Sequence, residues 1–489
     1  MSNFFNAIKE DSVYKFFSGG RWIKSHTGRT LDVISPIEGS VVGKLQMMAN
    51  DEIDEVFAKA KEAQKIWAKV DVVERATILK KAAELLRDHA DEIVATKVLE
   101  IAKLIANAKA SVLRSADIIE YTADQLDAFN HEIFLRGKDF SDQAKKKTAR
   151  IHREPLGVVV AISPFNYPIN LAVTKIAPAL LVGNSIVVKG PTQGSLSTAM
   201  LVEIFNKAGV VPGAISFVSG HGSEIGDYLV THQGADMINF TGSTAVGRSI
   251  AVKAAGKPLL LEMGGKDAAL VFDDADLEKS AEQIADGAFS YAGQRCTAIK
   301  RVLAHQDIHD ELVKKIVEVA KEKYNLVGDP RKDGIQVPPV ISVKQAEFAE
   351  KLIKDALNSG ASIVFGGVRK GNYMDAVILD HVTADMRIAW EEQFAPILPI
   401  IICKDEEEMI QLHNKSQYGL GASIFTENKV KAHEVALQLE AGVIQINAKS
   451  ERFPDSFPFL GVKDSGLGTQ GIRWSIEAMS RIKSVVENK

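Results

Sequence analysis

Five short segments carry the residues that could do chemistry. Cys296 sits in Gly293-Gln294-Arg295-Cys296-Thr297, among small and polar neighbours and directly behind an arginine. A thiolate is a strong nucleophile near neutral pH, and adjacent positive charge lowers a thiol's pKa. The same position also suits a buried structural cysteine. The other cysteine, Cys403, follows Ile400-Ile401-Ile402 and reads as part of a strand core. Glu262 ends an apolar run in Leu261-Glu262-Met263-Gly264-Gly265-Lys266, where glycines allow backbone to approach a ligand closely. It is either a surface cap or a base; beside a thiol it could activate water to hydrolyse a thioester. Asn166, held between prolines in Ser163-Pro164-Phe165-Asn166-Tyr167-Pro168, is a turn residue or a neutral donor for an oxyanion. Lys189, in Val187-Val188-Lys189-Gly190-Pro191-Thr192, stands at a strand's carboxyl end, where α/β proteins bind ligands. Phe240-Thr241-Gly242-Ser243-Thr244-Ala245-Val246-Gly247 passes from strand through a Gly/Ser/Thr turn toward a helix, an anion site by helix N-terminus physics.

These positions need strands to end at them. Apolar β-rich runs fall at Gly157 to Ser163, Ser185 to Lys189, Ala214 to Val218, Met237 to Phe240 and Leu259 to Glu262, with helical stretches such as Ser195 to Ala208 between them. Near-continuous apolar strands alternating with helices imply parallel sheets covered on both faces. The pattern resumes with strands near Ala268 to Phe272, Ser362 to Phe365, Leu398 to Ile402, Ala422 to Phe425 and Val443 to Asn447. Two α/β domains are therefore expected, with a break near Gly264-Gly265. Upstream, Asp51 to Lys69, Glu74 to Leu99 and Val112 to Asn130 read as helices. Phe134 to His152 is polar and carries Lys145-Lys146-Lys147; it reads as a solvated loop or hairpin, or as an assembly arm.

Composition narrows the classes. With 59 basic and 63 acidic residues, the chain lacks the basic excess of a nucleic-acid binder. No apolar run approaches the roughly 18 residues of a spanning helix, and the start lacks a secretory pattern. Two cysteines in 489 residues are no disulfide framework, which points to a reducing, cytoplasmic setting. No metal-binding motif occurs. A small-molecule enzyme remains, with no nucleic acid and no membrane as partner.

Together the segments resemble the aldehyde dehydrogenase superfamily. The matching pieces are PFNYP (164–168), VVKGPT (187–192), FTGSTAVG (240–247), LEMGGKD (261–267), GQRCT (293–297), WEEQFAP (390–396) and FPFLGVKDSGLG (457–468), in family order. The resemblance implies an α/β fold with two Rossmann-like parallel-sheet domains and a small β oligomerisation arm. Its parts would be a cofactor-binding domain (1–133 and 153–263), a catalytic domain (264–455) and a bridging arm (134–152 and 474–489), in a homotetramer. It implies that Cys296 attacks an aldehyde, that Asn166 and the Cys296 N–H hold the oxyanion, and that Glu262 activates the hydrolytic water. Ser163, Lys189, Thr192, Ser195, Asp227, Gly242, Ser243, Glu392 and Phe394 would bind the cofactor, Glu392 at the nicotinamide ribose.

Within the superfamily the sequence is most similar to the non-phosphorylating glyceraldehyde-3-phosphate dehydrogenases. SPFNYP, the Lys300-Arg301-Val302 run after GQRCT, Arg114, Asn447-Ala448-Lys449-Ser450-Glu451-Arg452 and the C-terminal GTQGIRWSIEAMSRIKSVV carry that likeness. It implies oxidation of D-glyceraldehyde 3-phosphate to 3-phosphoglycerate. Arg114, Arg295 and Arg452, with Asn166, Tyr167 and Thr297, would form the substrate pocket, the arginines at its phosphate end. Such arginines would repel one another without an anion, and Arg295 would help keep Cys296 charged. NAD-preferring members often carry a glutamate where this chain has Thr192, so NADP is expected, with NAD weaker. The alternative is another aldehyde dehydrogenase acting on a hydroxyaldehyde or semialdehyde, such as lactaldehyde or succinate semialdehyde.

Overall fold

The computed structural model describes residues 3–488. Four helices, α1 Asn50–Trp67, α2 Val72–Asp88, α3 Ala90–Ile101 and α4 Ile105–Asp124, precede the first parallel sheet. The periodic stretch from Glu74 to Leu99 is two helices rather than one. The chain breaks at His89, whose ring stacks on Phe4 at 3.9 Å and bonds to Glu92 at 3.0 Å. The third expected helix starts earlier, at Ile105, and ends at Asp124; a single turn, Asp127–Asn130, follows.

Five parallel strands form the centre of the first sheet: β1 Val158–Ile162, β2 Ser185–Lys189, β3 Ile215–Val218, β4 Met237–Thr241 and β5 Leu259–Glu262. Their spatial order is β5-β4-β1-β2-β3, with antiparallel edge strands from Gly466–Leu467 on one side and Phe16–Ser18 with Arg21–Ile23 on the other. Every residue of β2 and β4 is buried, as continuous apolar runs require of strands covered on both faces. Helices α5 Asn170–Leu181, α6 Ser195–Ala208, α7 Gly222–Thr231 and α8 Thr244–Lys253 make the crossovers. The winding reverses between β1 and β4, so a crevice opens at their carboxyl ends, where open α/β sheets bind ligands.

Beyond Gly264-Gly265 the second sheet uses β6 Ala268–Val271, β7 Arg301–His305, β8 Ser362–Phe365, β9 Val377–Asp380, β10 Ile397–Cys403, β11 Gly421–Phe425 and β12 Val443–Ile446. Its order is β8-β9-β10-β7-β6-β11-β12, and only β8 runs antiparallel to its neighbour. The apolar pattern alone missed β7 and β9. A helix, α9 Leu277–Phe289, leads from β6 toward the cysteine segment.

The apolar core is divided accordingly. One cluster joins α2 to α6 to one face of the first sheet, a second lies on its other face around Phe57, Phe240 and Met263, and a third fills the second sheet. The polar segment after α4 is a hairpin: Ile133–Arg136 pairs antiparallel with Lys147–Pro155, which pairs along its whole length with the C-terminal strand Ser480–Asn488. Among the described residues no helix is long and apolar enough to cross a membrane, and no cluster of His, Cys, Asp and Glu could hold a metal.

Candidate active site

The crevice is a cleft of about 620 Å³ between the two sheets. Ser163 and Asn166 enter it from the loop after β1, Lys189 and Thr192 from β2, and Gly242 and Ser243 from β4. Cys296, Glu392 and Phe394 enter from the second sheet's side. Ser195 is buried behind the β2 loop, its hydroxyl donating to the Pro191 carbonyl. Asp227 does not line the cleft. It lies exposed on α7, paired with Lys253 at 2.6 Å.

Cys296 is carried in by an unusual chain path. Tyr291, Ala292 and Gly293 have φ of 55°, 52° and 66°, three left-handed residues in succession. Only the third is free of a Cβ penalty, so the turn holds strain that surrounding contacts must hold in place. The Tyr291 hydroxyl anchors it by donating to the Ile101 carbonyl at 3.0 Å. At Gly293 a Cβ would stand 2.4 Å from the Ala395 carbonyl oxygen. The glycine pair after β5 works differently. A Cβ on Gly264 would stand 2.3 Å from Glu392 Oε2, so its absence lets the Glu392 carboxylate close over the strand end.

Cys296 Sγ lies 3.6 Å from Glu262 Oε1. Burial, with the Glu262 carboxylate beside it, pushes the thiol well above its ordinary value; Lys300 is the cation that opposes this. This corrects the expectation that Arg295 keeps Cys296 charged. The Arg295 guanidinium turns away and donates to the carbonyls of Asp286 and Gly287, at 3.3 and 2.5 Å, in the last turn of α9. Cations are favoured at that pole of a helix. Lys300 reaches the nucleophile's segment instead, donating to the Cys296 carbonyl and pairing with Glu392 at 3.3 Å. Thr297 is buried beside the cysteine.

The Asn166 amide donates one hydrogen to the Gln294 carbonyl at 2.9 Å, which fixes its plane next to Cys296. Behind Glu262 runs a chain of donors: Lys175 Nζ donates to Thr241 Oγ1 at 2.7 Å, and Thr241 donates to Glu262 Oε2 at 3.2 Å. Burial pushes Lys175 down to about 7, so it can give up a proton near neutrality. Sequence reading missed Lys175 because it lies inside a wholly buried helix with no motif around it.

Arg114 and Arg452 come together, and the protein supplies their counter-ions. Arg114 pairs with Asp455 at 2.6 Å and also donates to the Arg452 carbonyl. Arg452 pairs with Glu262 at 3.0 Å and faces Asp455 at 3.5 Å. Mutual repulsion without a ligand, expected from sequence, is thus relieved by two internal carboxylates. Tyr167 borders the same region. Its ring lies 3.5 Å from the Nζ of Lys103, a buried side chain with no hydrogen-bond partner, a second ring, Tyr291, at 4.6 Å, and a basicity that burial drives well below the usual lysine range. Neither Lys103 nor Asp455 was legible as a site residue. Nor were Ile341, Ser342 and Gln345, which bring the start of the helix Val343–Asn358 to the cleft.

Comparison with known proteins identifies the family. Residues 22–485 match the Aldehyde dehydrogenase family. The chain belongs to that family. Among its relatives is the NADP-dependent glyceraldehyde-3-phosphate dehydrogenase of Streptococcus equinus, 46% identical over 97% of this chain and 98% of that protein. The enzyme of the same name from Pisum sativum is 44% identical over 98% of this chain and 96% of its own. The crystal structure of NADP-dependent glyceraldehyde-3-phosphate dehydrogenase from Bacillus halodurans C-125 complexed with NADP superposes with a TM-score of 0.95, at 47% identity, covering 97% of this chain and 99% of that one.

Proposed function

We propose that the protein is an NADP-dependent non-phosphorylating glyceraldehyde-3-phosphate dehydrogenase, converting D-glyceraldehyde 3-phosphate to 3-phosphoglycerate. The observation that carries this is the set Cys296, Glu262 and Asn166 at one cleft, with the Arg114–Arg452 pair directly behind Glu262. Relatives bearing that enzyme's name, alike over nearly their whole length, support it.

The cleft fits a dinucleotide. Ser163 Oγ is buried in it without a partner, and Lys189 Nζ has one bond, to the Gly190 carbonyl at 3.0 Å. Lys189 and Thr192 would hold the 2′-phosphate end, Gly242 and Ser243 the pyrophosphate, and Glu392 and Phe394 the nicotinamide end. NADP, when bound, supplies the hydride acceptor. The residues do the rest. Cys296 lines the open cleft, so its thiol proton leaves to solvent there as Sγ attacks the aldehyde carbon. The Asn166 amide and the Cys296 N–H stabilise the developing oxyanion. Oxidation leaves a thioester on Sγ. Glu262 then takes a proton from water, the water oxygen attacks the thioester carbonyl, and the released sulfur is reprotonated.

We assign cofactor binding to 1–133 and 153–263, catalysis to 264–455 and assembly to 134–152 with 474–489. We place the protein in the cytoplasm as a homotetramer. The test is NADPH formation by purified protein without inorganic phosphate, comparing D-glyceraldehyde 3-phosphate with propanal, lactaldehyde and succinate semialdehyde, each with NADP and NAD. Fast turnover confined to the triose phosphate, lost in Cys296→Ala while NADP still binds, is the expected result. Equal turnover of an unphosphorylated aldehyde would overturn the substrate assignment.

A further inference from the structure

Arg452 stands between two anions it cannot serve equally. Its Nη1 donates to Glu262 Oε2 at 3.0 Å and to Gln470 Oε1 at 2.9 Å, and its Nε faces Asp455 at 3.5 Å. The side chains of Arg452 and Glu262 are only 10% and 2% exposed, so water screens the pair little. Glu262 is therefore gripped at one oxygen by Arg452 and Thr241, while its other oxygen lies 3.6 Å from Sγ. The function proposed above sends a phosphate to this same guanidinium, and the present inference rests on that reading.

We propose that Arg452 is a positioning residue for Glu262: the ion pair restrains the carboxylate, and the substrate's phosphate, by drawing off the guanidinium, releases it to activate water. Hydrolysis of the thioester is then coupled to an anionic group at the far end of the acyl chain. The physical ground is charge compensation. If Glu262 accepted a proton while paired, the buried guanidinium would lose its nearer counter-ion and be left with Asp455 at 3.5 Å, an anion already paired with Arg114, which is unfavourable. A phosphate dianion takes the carboxylate's place on the guanidinium fork, so one anion replaces another and no buried cation is stranded. In the step itself, water's proton goes to Glu262 and its oxygen forms the new C–O bond. The C–S bond breaks with its electron pair on sulfur, and the proton returns from Glu262 to Sγ. No electrons are gained or lost.

An Arg452 that only bound substrate would set KM and leave the hydrolytic step alone. The two roles separate when the phosphate is offered in a separate molecule. The full-length wild type is mixed with NADP and unphosphorylated D-glyceraldehyde, with and without phosphite dianion, and NADPH is followed from the first turnover. The coupling predicts a burst of NADPH, then a slow steady rate that phosphite raises roughly tenfold or more, the size of one charged contact, with the burst rate changed far less. In Arg452→Gln the phosphite effect disappears and the rate after the burst on D-glyceraldehyde rises above wild type. Arg452→Lys, which keeps the charge without the fork, restores part of the phosphite response. A steady rate indifferent to phosphite, or a burst accelerated as much as the steady rate, overturns the proposal, and the wild-type arm decides this even if a variant fails to fold. Loss of the enzymatic reading is separate: it shows as absent turnover of D-glyceraldehyde 3-phosphate by the same preparation.

Discussion

Replacing Lys189 with methionine tests how the cleft distinguishes NADP from NAD. Lys189 ends β2 with its side chain buried, and Nζ spends one hydrogen on the Gly190 carbonyl. An ammonium has three donors, so two remain for the cofactor's extra phosphate. A hydrogen bond to a charged partner contributes about 1.5–3 kcal/mol, so Lys189→Met should weaken NADP roughly 10- to 150-fold. NAD lacks that phosphate and should change by no more than about threefold, the residue's stem being replaced by one of similar bulk. The pH dependence follows from burial, which pushes Lys189 down to about 8. The group is charged below that value and neutral above it. NADP affinity should therefore be highest below pH 8 and fall as pH rises through it, while NAD affinity stays nearly flat. Bound phosphate favours the charged form and moves the midpoint upward. Calorimetric titration of both dinucleotides in the Cys296→Ala background, which binds without turning over, measures all of this. Equal weakening of NADP and NAD, or a NADP-to-NAD affinity ratio that ignores both pH and the substitution, would refute the assignment of Lys189 to the 2′-phosphate.

Glu262→Gln removes the base and keeps the shape; it should release one NADPH per site and then slow by about 10²–10⁴-fold, as read by stopped-flow absorbance. Asn166→Ala removes an oxyanion donor and should lower kcat by about 10²–10³-fold with NADP binding intact. Thr192→Glu places a carboxylate beside the site assigned to the 2′-phosphate and should shift preference toward NAD, measured as the ratio of kcat/KM values. Asp455→Ala strips the counter-ion shared by Arg114 and Arg452. Its loss should lower stability by about 3–5 kcal/mol, the usual cost of breaking a buried pair, seen as an earlier urea midpoint.

The strand-end positions were legible in sequence because chemistry and topology coincide there. Asn166, Lys189, Gly242 and Glu262 all follow apolar runs that could only be buried strands, and such strands deliver their carboxyl ends to one crevice. Side-chain direction was not legible. Arg295 precedes the nucleophile, yet the nearby helix end captures its guanidinium, and Lys300, four residues beyond Cys296, takes the electrostatic role instead. Asp455 and Lys103 matter through partners far away in the chain: Asp455 meets Arg114, 341 residues earlier, and no local pattern announces such a meeting. Strand β9 is only four residues of Val377-Ile378-Leu379-Asp380, too short for periodicity to speak. The polar composition of the segment after α4 fits a loop, a hairpin wetted on one face and an assembly arm alike, so composition cannot choose among them.

The upward shift of the Cys296 thiol also bears on how the protein endures oxidants. Peroxide attacks thiolate far faster than thiol, and the oxidation ladder beyond sulfenic acid is irreversible for most proteins. The chain has two cysteines, and Cys403 is sealed inside β10 with its thiol also pushed up, to about 12. No resolving thiol stands near enough to Cys296 to rescue it as a disulfide. Durability therefore rests on keeping the sulfur protonated between turnovers. The carboxylate assigned to the hydrolytic step also helps hold the nucleophile's thiol pKa up, and so stores it in a chemically quiet form.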